Sequence, residues 1–191
     1  MVAEEARLGH LPEDMRDIAI RLIHSCGMVN IVDDLAFSSR AVQAGHAALE
    51  DGKSIFTDVE MVRSGIIERM LPGKNALICT LNNEEVPGHA KAIGNTRSAA
   101  GVDLWGSSLE GAIAVIGNAP TALFRLLENV ANGGPRPALV VGIPVGFVGA
   151  VESKQALAEN TLGLDFITVQ GRRGGSAMAS SVVNALCGGS A

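Results

Sequence analysis

The segment Ala112-Ile113-Ala114-Val115-Ile116-Gly117-Asn118-Ala119-Pro120-Thr121-Ala122-Leu123 passes from an aliphatic run through Gly-Asn into a helical pattern. The aliphatic run predicts a short buried strand, and a proline at the start of the following segment favours the first turn of a helix. Units of this kind recur along the chain. Strands that alternate with helices predict right-handed crossovers and a parallel sheet covered by helices on both faces.

Five segments have the length and apolar content of buried strands, and helical patterns lie between most of them. The predicted strands are residues 53–58, 76–81, 112–116, 138–143 and 166–169. The predicted helices are residues 12–27, 59–70, 98–105, 120–131, 151–160 and 176–187. In such a sheet ligands bind beyond the carboxyl ends of the strands, so we expect a site where the Gly-Asn turns fall.

The composition favours a single domain over residues 1–191, since no Pro/Ser-rich linker or charge block divides the chain. Hydrophobic residues make up 47% of the chain and aromatic residues only 3%, so the core must be aliphatic. The net charge is −5 and no basic stretch is interleaved with aromatics, so nucleic acid is not an expected partner. Cys26, Cys79 and Cys187 are far apart, so neither a disulfide framework nor a metal site is expected.

The first residues, Met1-Val2-Ala3-Glu4-Glu5, are acidic and do not resemble a signal peptide. No apolar run approaches the ~18 residues that a membrane span requires. We therefore expect a soluble, cytoplasmic protein without a membrane partner.

Two segments nearly repeat each other, residues 93–100 and residues 116–123, and both run through Gly-Asn. Asparagine is a favoured N-cap, so Asn95 and Asn118 predict two helix starts with free N–H groups that hold anions. The first turn adds Thr96, Arg97 and Ser98, whereas the second adds Pro120 and Thr121. A cation at a helix start opposes the helix dipole, which favours a functional interpretation of Arg97.

His24 is the catalytic candidate that stands out on its own pattern. On the predicted helix the apolar stripe consists of Met15, Ile18, Ala19, Leu22, Ile23 and Cys26. At about 100° per residue, His24 points almost directly away from that stripe. A histidine titrates close enough to neutrality to donate a proton and take it back. A solvated histidine near a helix end is the alternative interpretation.

Other residues allow two interpretations each. Asp58 and Glu60 end a strand and start a helix, where acids are common because they suit the dipole, so we favour a structural role. Arg172-Arg173 ahead of Gly174 is suited to clamping carboxylates or phosphate, or is simply solvated. The remaining histidines show no ligand spacing and are predicted to be surface residues; they are His10, His46 and His89.

Several motifs in order resemble the precorrin-8X methylmutase family. They include Ile23-His24-Ser25-Cys26-Gly27, Asp58-Val59-Glu60-Met61-Val62, Ile93-Gly94-Asn95-Thr96-Arg97-Ser98-Ala99-Ala100, Ile116-Gly117-Asn118-Ala119-Pro120-Thr121-Ala122-Leu123-Phe124 and Pro144-Val145-Gly146-Phe147-Val148-Gly149-Ala150-Val151-Glu152-Ser153-Lys154. The similarity covers nearly the whole chain from about residue 12 onward.

This resemblance implies a flavodoxin-like three-layer α/β/α sandwich around a mainly parallel five-stranded sheet. It implies an isomerase of cobalamin biosynthesis that moves a methyl group from ring position 11 to ring position 12 of a corrinoid. It further implies a homodimer with sites near the interface, and no redox or nucleotide cofactor. His24 matches the family's proton-donating histidine, and Arg97 with Ser98 matches its substrate-contacting turn.

The corrinoid interpretation agrees with the residues, because a broad apolar ring fringed by carboxylates needs aliphatic walls and anion-binding turns. We expect Asn95, Thr96, Arg97, Ser98, Asn118 and Thr121 to contact it. A non-catalytic tetrapyrrole-binding protein of the same fold is the alternative, since anion-binding turns do not require chemistry. A nucleotide-using enzyme is disfavoured because the glycine motifs lack a phosphate-loop pattern. The sequence leaves open whether the substrate is metal-free or holds cobalt.

Overall fold

Six strands form one sheet in the computed structural model, which describes residues 2–188. They are β1 (Leu35–Phe37), β2 (Ile55–Thr57), β3 (Leu77–Cys79), β4 (Ile113–Ile116), β5 (Leu139–Gly142) and β6 (Phe166–Val169). Their spatial order is β1-β6-β5-β4-β2-β3, with β2 to β6 parallel. The predicted α/β class is confirmed, but the predicted count of five strands is wrong. The missing strand is β1, which pairs antiparallel to β6 with Leu35 opposite Val169.

Helices cover both faces of this sheet. They are α1 (Val2–Glu5), α2 (Glu13–Cys26), α3 (Ala41–Glu50), α4 (Glu60–Gly65), α5 (Val86–Ala92), α6 (Arg97–Asp103), α7 (Pro120–Ala131), α8 (Ala150–Ala158) and α9 (Ser176–Cys187). The predicted bounds of α7 and α9 agree with the structure, and α2 begins and ends where the proline and Gly27 indicated. The sequence analysis did not predict α1, α3 or α5.

The predicted helix over residues 59–70 is interrupted. After α4 ends at Gly65, only a short 3₁₀ turn follows at Glu68–Met70. The side chain of Asn184 on α9 explains this break, because its amide donates to the Gly65 carbonyl at 2.9 Å and its oxygen accepts from the Ile67 N–H at 2.8 Å. A tertiary contact has taken the backbone groups that a longer helix would have used.

Alternate strand residues point to opposite sides and build two cores. Ile113 and Val115 of β4 pack with α2, α3, α4 and α9, whereas Ala114 and Ile116 pack with α6, α7 and α8. The structure therefore has three layers, with α2 and α9 in contact on one face and α6 and α7 in contact on the other.

The strand order reverses between β2 and β4, which are hydrogen-bonded neighbours. The chain leaves β2 toward β3 on one side and leaves β4 toward β5 on the other. Crevices at the carboxyl ends of strands on either side of such a reversal are where ligands bind in open α/β sheets. Here Asp58 follows β2 and Gly117 follows β4, so both lie at the reversal.

Candidate functional site

A cleft of about 690 Å³ lies between α2, α4 and α9. The last turns of α2 provide Ile20, Arg21, His24 and Ser25. The opposite walls come from Met61 and Gly65 on α4, Ile67 just beyond it, and Ala177, Ser180, Ser181 and Asn184 on α9. The lining is mostly apolar or small, with a few polar groups, which is the composition of a small-molecule site.

His24 lies on the wall of this cleft and is exposed, whereas Leu22 and Ile23 beside it are buried. The predicted orientation of His24, away from the core of its own helix, is confirmed. Gly27 ends the helix in a left-handed conformation at φ 69°, and its N–H donates to the Ile23 carbonyl at 2.7 Å. Because only glycine adopts that conformation without strain, the sequence itself places His24 in the last turn of α2.

The walls of the cleft approach each other closely on the side opposite His24. A Cβ added at Gly65 would lie 2.4 Å from the Ser180 hydroxyl oxygen, so only glycine permits this contact between α4 and α9. The Asn184 amide that interrupts α4 lines the same cleft. Glycine and the small serines thus leave open the space that larger side chains would fill.

Arg21 lies one helical turn before His24 and lines the same cleft, although the sequence patterns did not single it out. Within residues 2–188 its guanidinium forms no ion pair. The spacing of three residues from His24 was the available signal, because residues three apart on a helix share a face. Arg21 therefore offers a cation beside the candidate acid.

The first Gly-Asn turn is open to solvent. Asn95, Thr96 and Arg97 are exposed, and Ser98 is half-buried. The predicted N-cap, Asn95, is wrong by one residue: Thr96 caps α6, since its hydroxyl accepts from the Ala99 N–H at 3.2 Å. The Asn95 side chain instead accepts from the Thr96 N–H at 2.8 Å.

Arg97 reaches from this turn toward the end of β3, where its guanidinium donates to the Leu81 carbonyl at 3.2 Å. That contact orients the side chain without neutralising its charge. The Thr96 and Thr121 hydroxyls lie 2.7 Å apart, so the two turns meet at the starts of α6 and α7. This part of the predicted site is brought together by the fold.

The second Gly-Asn turn differs from its prediction. Its amides are not free, because the Asp58 carboxylate accepts from the N–H groups of Gly117 at 3.0 Å, Asn118 at 3.0 Å and Ala119 at 2.8 Å. Asn118 is exposed, and Ala119 rather than Asn118 is the N-cap position of α7. Burial raises the pKa of the Asp58 carboxyl, and the three amides oppose that effect. The structural role favoured for Asp58 agrees with these contacts.

These groups do not share one cleft within a single chain. His24 and Arg21 lie between helices on one face of the sheet, whereas the starts of α6 and α7 belong to the other face. None of the residues predicted to contact the ligand lines the cleft of His24; they are Asn95, Thr96, Arg97, Ser98, Asn118 and Thr121. The two parts share only the edge formed by the carboxyl ends of the strands.

A second, smaller cleft of about 340 Å³ lies beside the first, lined by Met28 and Met178 and by the loops after β5 and β6. Phe147 on its rim is 85% exposed, and the Arg172 guanidinium lies 5.4 Å from its ring centre. This arrangement gives the carboxyl edge an apolar surface with a cation over it. The sequence motif contains Phe147, but no role was predicted for this residue.

Arg173, by contrast, is held within the protein. Its guanidinium donates to the Asp34 carboxylate at 2.5 Å and to the Asn30 side-chain oxygen at 3.0 Å. Its carbonyl accepts from the ammonium of Lys154, a fully buried residue, at 2.7 Å. Burial lowers the pKa of Lys154 to about 8. The two predicted arginines therefore have separate roles, and only Arg172 faces the cleft without an ion pair among the described residues.

Two further predictions concern the chain as a whole. Between residues 2 and 188, no cluster of three or more His, Cys, Asp or Glu side chains has the arrangement of a metal site. In that same range, no helix has both the length and the apolar character needed to cross a membrane. His89, predicted to be a surface residue, has a side chain that is 36% exposed, and its imidazole lies 2.7 Å from the Asp103 carboxylate.

Known proteins share both the sequence and the fold of this chain. The family model described as Precorrin-8X methylmutase matches residues 1–188. A precorrin-8X methylmutase of Pseudomonas aeruginosa is 53% identical over 97% of this chain and 89% of its own length. A cobalt-precorrin-8 methylmutase of Salmonella typhimurium is 42% identical over 87% of this chain and 77% of its own. The solved precorrin-8x methyl mutase of Thermus thermophilus superposes with a TM-score of 0.88 at 35% identity, covering 97% of this chain and 89% of that one.

Proposed function

The chain belongs to the precorrin-8X methylmutase family and is an isomerase of cobalamin biosynthesis, and we propose that His24 is the acid through which it works. Membership confirms the resemblance carried by the motifs and gives no support to the non-catalytic binding protein. The observation that carries the proposal is the position of His24, exposed on the wall of a mostly apolar cleft.

The proposed reaction moves a methyl group of a corrinoid from ring position 11 to ring position 12. The bond between the methyl carbon and ring position 11 breaks as the bond to ring position 12 forms, and substrate and product have the same atoms. His24 lends a proton to the macrocycle, which draws electron density inward during the shift, and recovers it afterwards. Acid catalysis of this kind contributes about 100- to 10,000-fold to the rate enhancement. The remainder of the enhancement comes from holding the methyl group over ring position 12.

Cations and hydroxyls at the carboxyl edge hold the carboxylates of the substrate. Arg21 lies in the cleft itself, and Arg97 with Ser98 adds a second charged contact at the start of α6. Asn95, Thr96, Asn118 and Thr121 supply polar groups around the joined turns. Because the chain has a net charge of −5, attraction of an anionic substrate must be local.

A homodimer brings the two parts of the site together. In one chain the α6 turn and the His24 cleft lie on different faces of the sheet, and in the proposed dimer the second copy supplies the surface that covers each cleft. Met61 on the cleft wall is 73% exposed, which is the kind of apolar surface that a second copy covers. We further propose that the protein acts in the cytoplasm.

The substrate in this proposal is the metal-free corrinoid. Identity is 53% to the Pseudomonas aeruginosa enzyme named for precorrin-8X and 42% to the Salmonella typhimurium enzyme named for the cobalt form. We therefore expect the metal-free substrate to be converted with the higher kcat/KM and the cobalt form with the lower.

The test is replacement of His24 by alanine. Incubation of wild type with the methylated precursor should change its visible spectrum, because methyl migration alters the conjugation, and the change should survive denaturation of the protein. His24→Ala should lose turnover by at least about 100-fold and keep its thermal unfolding temperature, since the side chain is exposed. His46→Ala, an exposed helical histidine on α3, is the matched control and should turn over normally. Near-normal turnover by His24→Ala would contradict the assignment.

A further inference from the structure

Asp58 is a buried carboxylate that the proposed chemistry does not use. Only 3% of it is exposed, and both of its oxygens are occupied by backbone N–H groups of the turn Gly117 to Ala119. These successive amides point at one carboxylate from the start of a helix, which is the arrangement that binds phosphate or carboxylate ligands in other proteins. Here the anion belongs to the chain itself.

The turn that Asp58 holds also contacts the walls of the His24 cleft. A Cβ added at Gly117 would lie 2.7 Å from Val62 on α4, and 2.8 Å from Ala179 and 2.9 Å from Ser176 on α9. The backbone at Gly117 therefore lies directly against both helices. Because the packing is this close, a displacement of the turn would either displace the cleft walls with it or change its position relative to them.

The other end of the same turn leads to the second part of the proposed site, the turn that carries Arg97 at the start of α6. Two residues beyond Ala119, the Thr121 hydroxyl meets the Thr96 hydroxyl at 2.7 Å, and Thr96 precedes Arg97 at the start of α6. The turn thus lies between the cleft that holds His24 and the turn that carries Arg97. It packs against the helices of the cleft on one side and is joined to the Arg97 turn by the Thr121–Thr96 hydrogen bond on the other.

We propose that Asp58 is a positioning residue, whose carboxylate fills the anion cradle at the strand-order reversal and so fixes the Asn118 turn between the two parts of the corrinoid site. The inference rests on the proposed function, in which Asn118 and Thr121 contact the substrate. A free anion does not compete for this cradle in the wild type, because a tethered, buried carboxylate already makes all three hydrogen bonds. Removal of the carboxylate should make the cradle available to a small anion.

The first arm of the experiment measures that anion binding without any corrinoid. Asp58→Ala should unfold at a lower temperature than wild type, and sodium formate should raise its unfolding temperature while sodium chloride at equal ionic strength does not. Wild type should show no formate effect. Equal responses of Asp58→Ala to formate and to chloride would overturn the assignment of the cradle.

The second arm separates positioning from stability through the kinetic constants. A variant that is merely less stable has fewer active molecules, which lowers the apparent kcat and leaves KM unchanged. We expect KM for the metal-free corrinoid to rise about tenfold in Asp58→Ala, and formate to lower it again. Asp58→Asn, which retains one acceptor oxygen, should show a raised KM that formate does not restore, and it provides the test if Asp58→Ala does not fold.

Asp165 supplies the matched control. Its carboxylate is also mostly buried, but it lies at the amino end of β6, where it accepts from Ser38 at 2.8 Å and pairs with Arg40 at 3.1 Å. Asp165→Ala should lose stability with an unchanged KM. An unchanged KM in both Asp58 variants would make Asp58 purely structural and overturn the proposal. If wild type converts no corrinoid, the proposed function fails, while the formate arm still decides the Asp58 assignment.

Discussion

The turns at Asn95 and Asn118 have nearly the same sequence and the same position after a Gly at a helix start, yet their electrostatics differ. The Asn95 turn is exposed and carries Arg97, whose guanidinium donates to the Leu81 carbonyl and pairs with no carboxylate among residues 2–188. The Asn118 turn holds the Asp58 carboxylate with three amides. The Asn95 turn therefore presents the positive charge of Arg97 to the solvent. The Asn118 turn has its N–H groups already occupied by the Asp58 carboxylate. The comparison teaches that an anion-binding motif identifies a place for an anion but not where that anion comes from.

A third loop, Gly171 to Gly175, differs from both turns because a cation inside the protein, the Lys154 ammonium, holds it. Buried Lys154 donates to the Arg173 carbonyl, and its pKa falls from 10.5 to about 8. Below pH 8 this lysine is charged in both the folded and unfolded states, and the cost of burying the charge is present in full. As the pH rises from 8 to 10.5, the folded state loses the proton first, so the free energy of unfolding should rise by up to about 3 kcal/mol.

Urea unfolding at pH 7.5 and pH 10 measures this effect as the difference between wild type and Lys154→Met, which lacks the titrating group. Lys74→Met, which removes an exposed lysine, is the control and should keep the pH dependence of wild type. Parallel pH profiles for wild type and Lys154→Met would show that burial does not lower the pKa of Lys154.

The open turn is tested next, by Arg97→Ala. Loss of a charge-assisted hydrogen bond to a substrate carboxylate should weaken corrinoid binding about 10- to 100-fold. The unfolding temperature should change little, because Arg97 is exposed. Fluorescence or absorbance titration of the corrinoid against wild type and Arg97→Ala provides the measurement, with Lys91→Ala on α5 as a control of equal charge change. Equal affinities of Arg97→Ala and wild type would remove the functional distinction between the turns.

The smallest effect concerns which residue caps each helix. Thr96→Ala should lower the free energy of unfolding by about 1 kcal/mol, because the cap of α6 and the contact with Thr121 are both lost. Asn118→Ala should stay within about 0.5 kcal/mol of wild type, since Asp58 and not Asn118 satisfies the turn. Thr96→Ser keeps the capping oxygen and should be close to wild type. Similar losses in Thr96→Ala and Asn118→Ala would show that the two turns are equivalent after all.

Local patterns predicted a large part of the fold. The positions of β4, α7 and α9 follow from apolar runs bounded by glycine and proline, and these signals act within a few residues of the chain. The elements that were missed lack such signals. β1 has only three residues and exists through its pairing with β6. α3 begins at Ala41, and the preceding N-cap residue, Arg40, makes no capping hydrogen bond with its side chain.

Within the candidate site, features that depend on local sequence were predicted, and contacts between distant residues were not. The direction of His24 depends only on the rotation per residue within α2, so the sequence settled it. The partners of Asp58 are about 60 residues away along the chain, and those of the Arg173 guanidinium are more than 130 away. Arg172 and Arg173 look identical in the sequence, and only the fold pairs one with Asp34 and leaves the other beside Phe147.

The sequence by itself determined the family, the α/β class and the outward direction of His24, because motif order, strand–helix alternation and helical rotation are all properties of the chain read locally. Only the tertiary structure decided which groups stand opposite His24 and which anion occupies the Asn118 turn. The sheet order places β2 beside β4, and that contact brings the Asp58 carboxylate to three amides that the sequence had predicted to be free. The burial that excludes water from this contact is a product of packing, so no local pattern could report it.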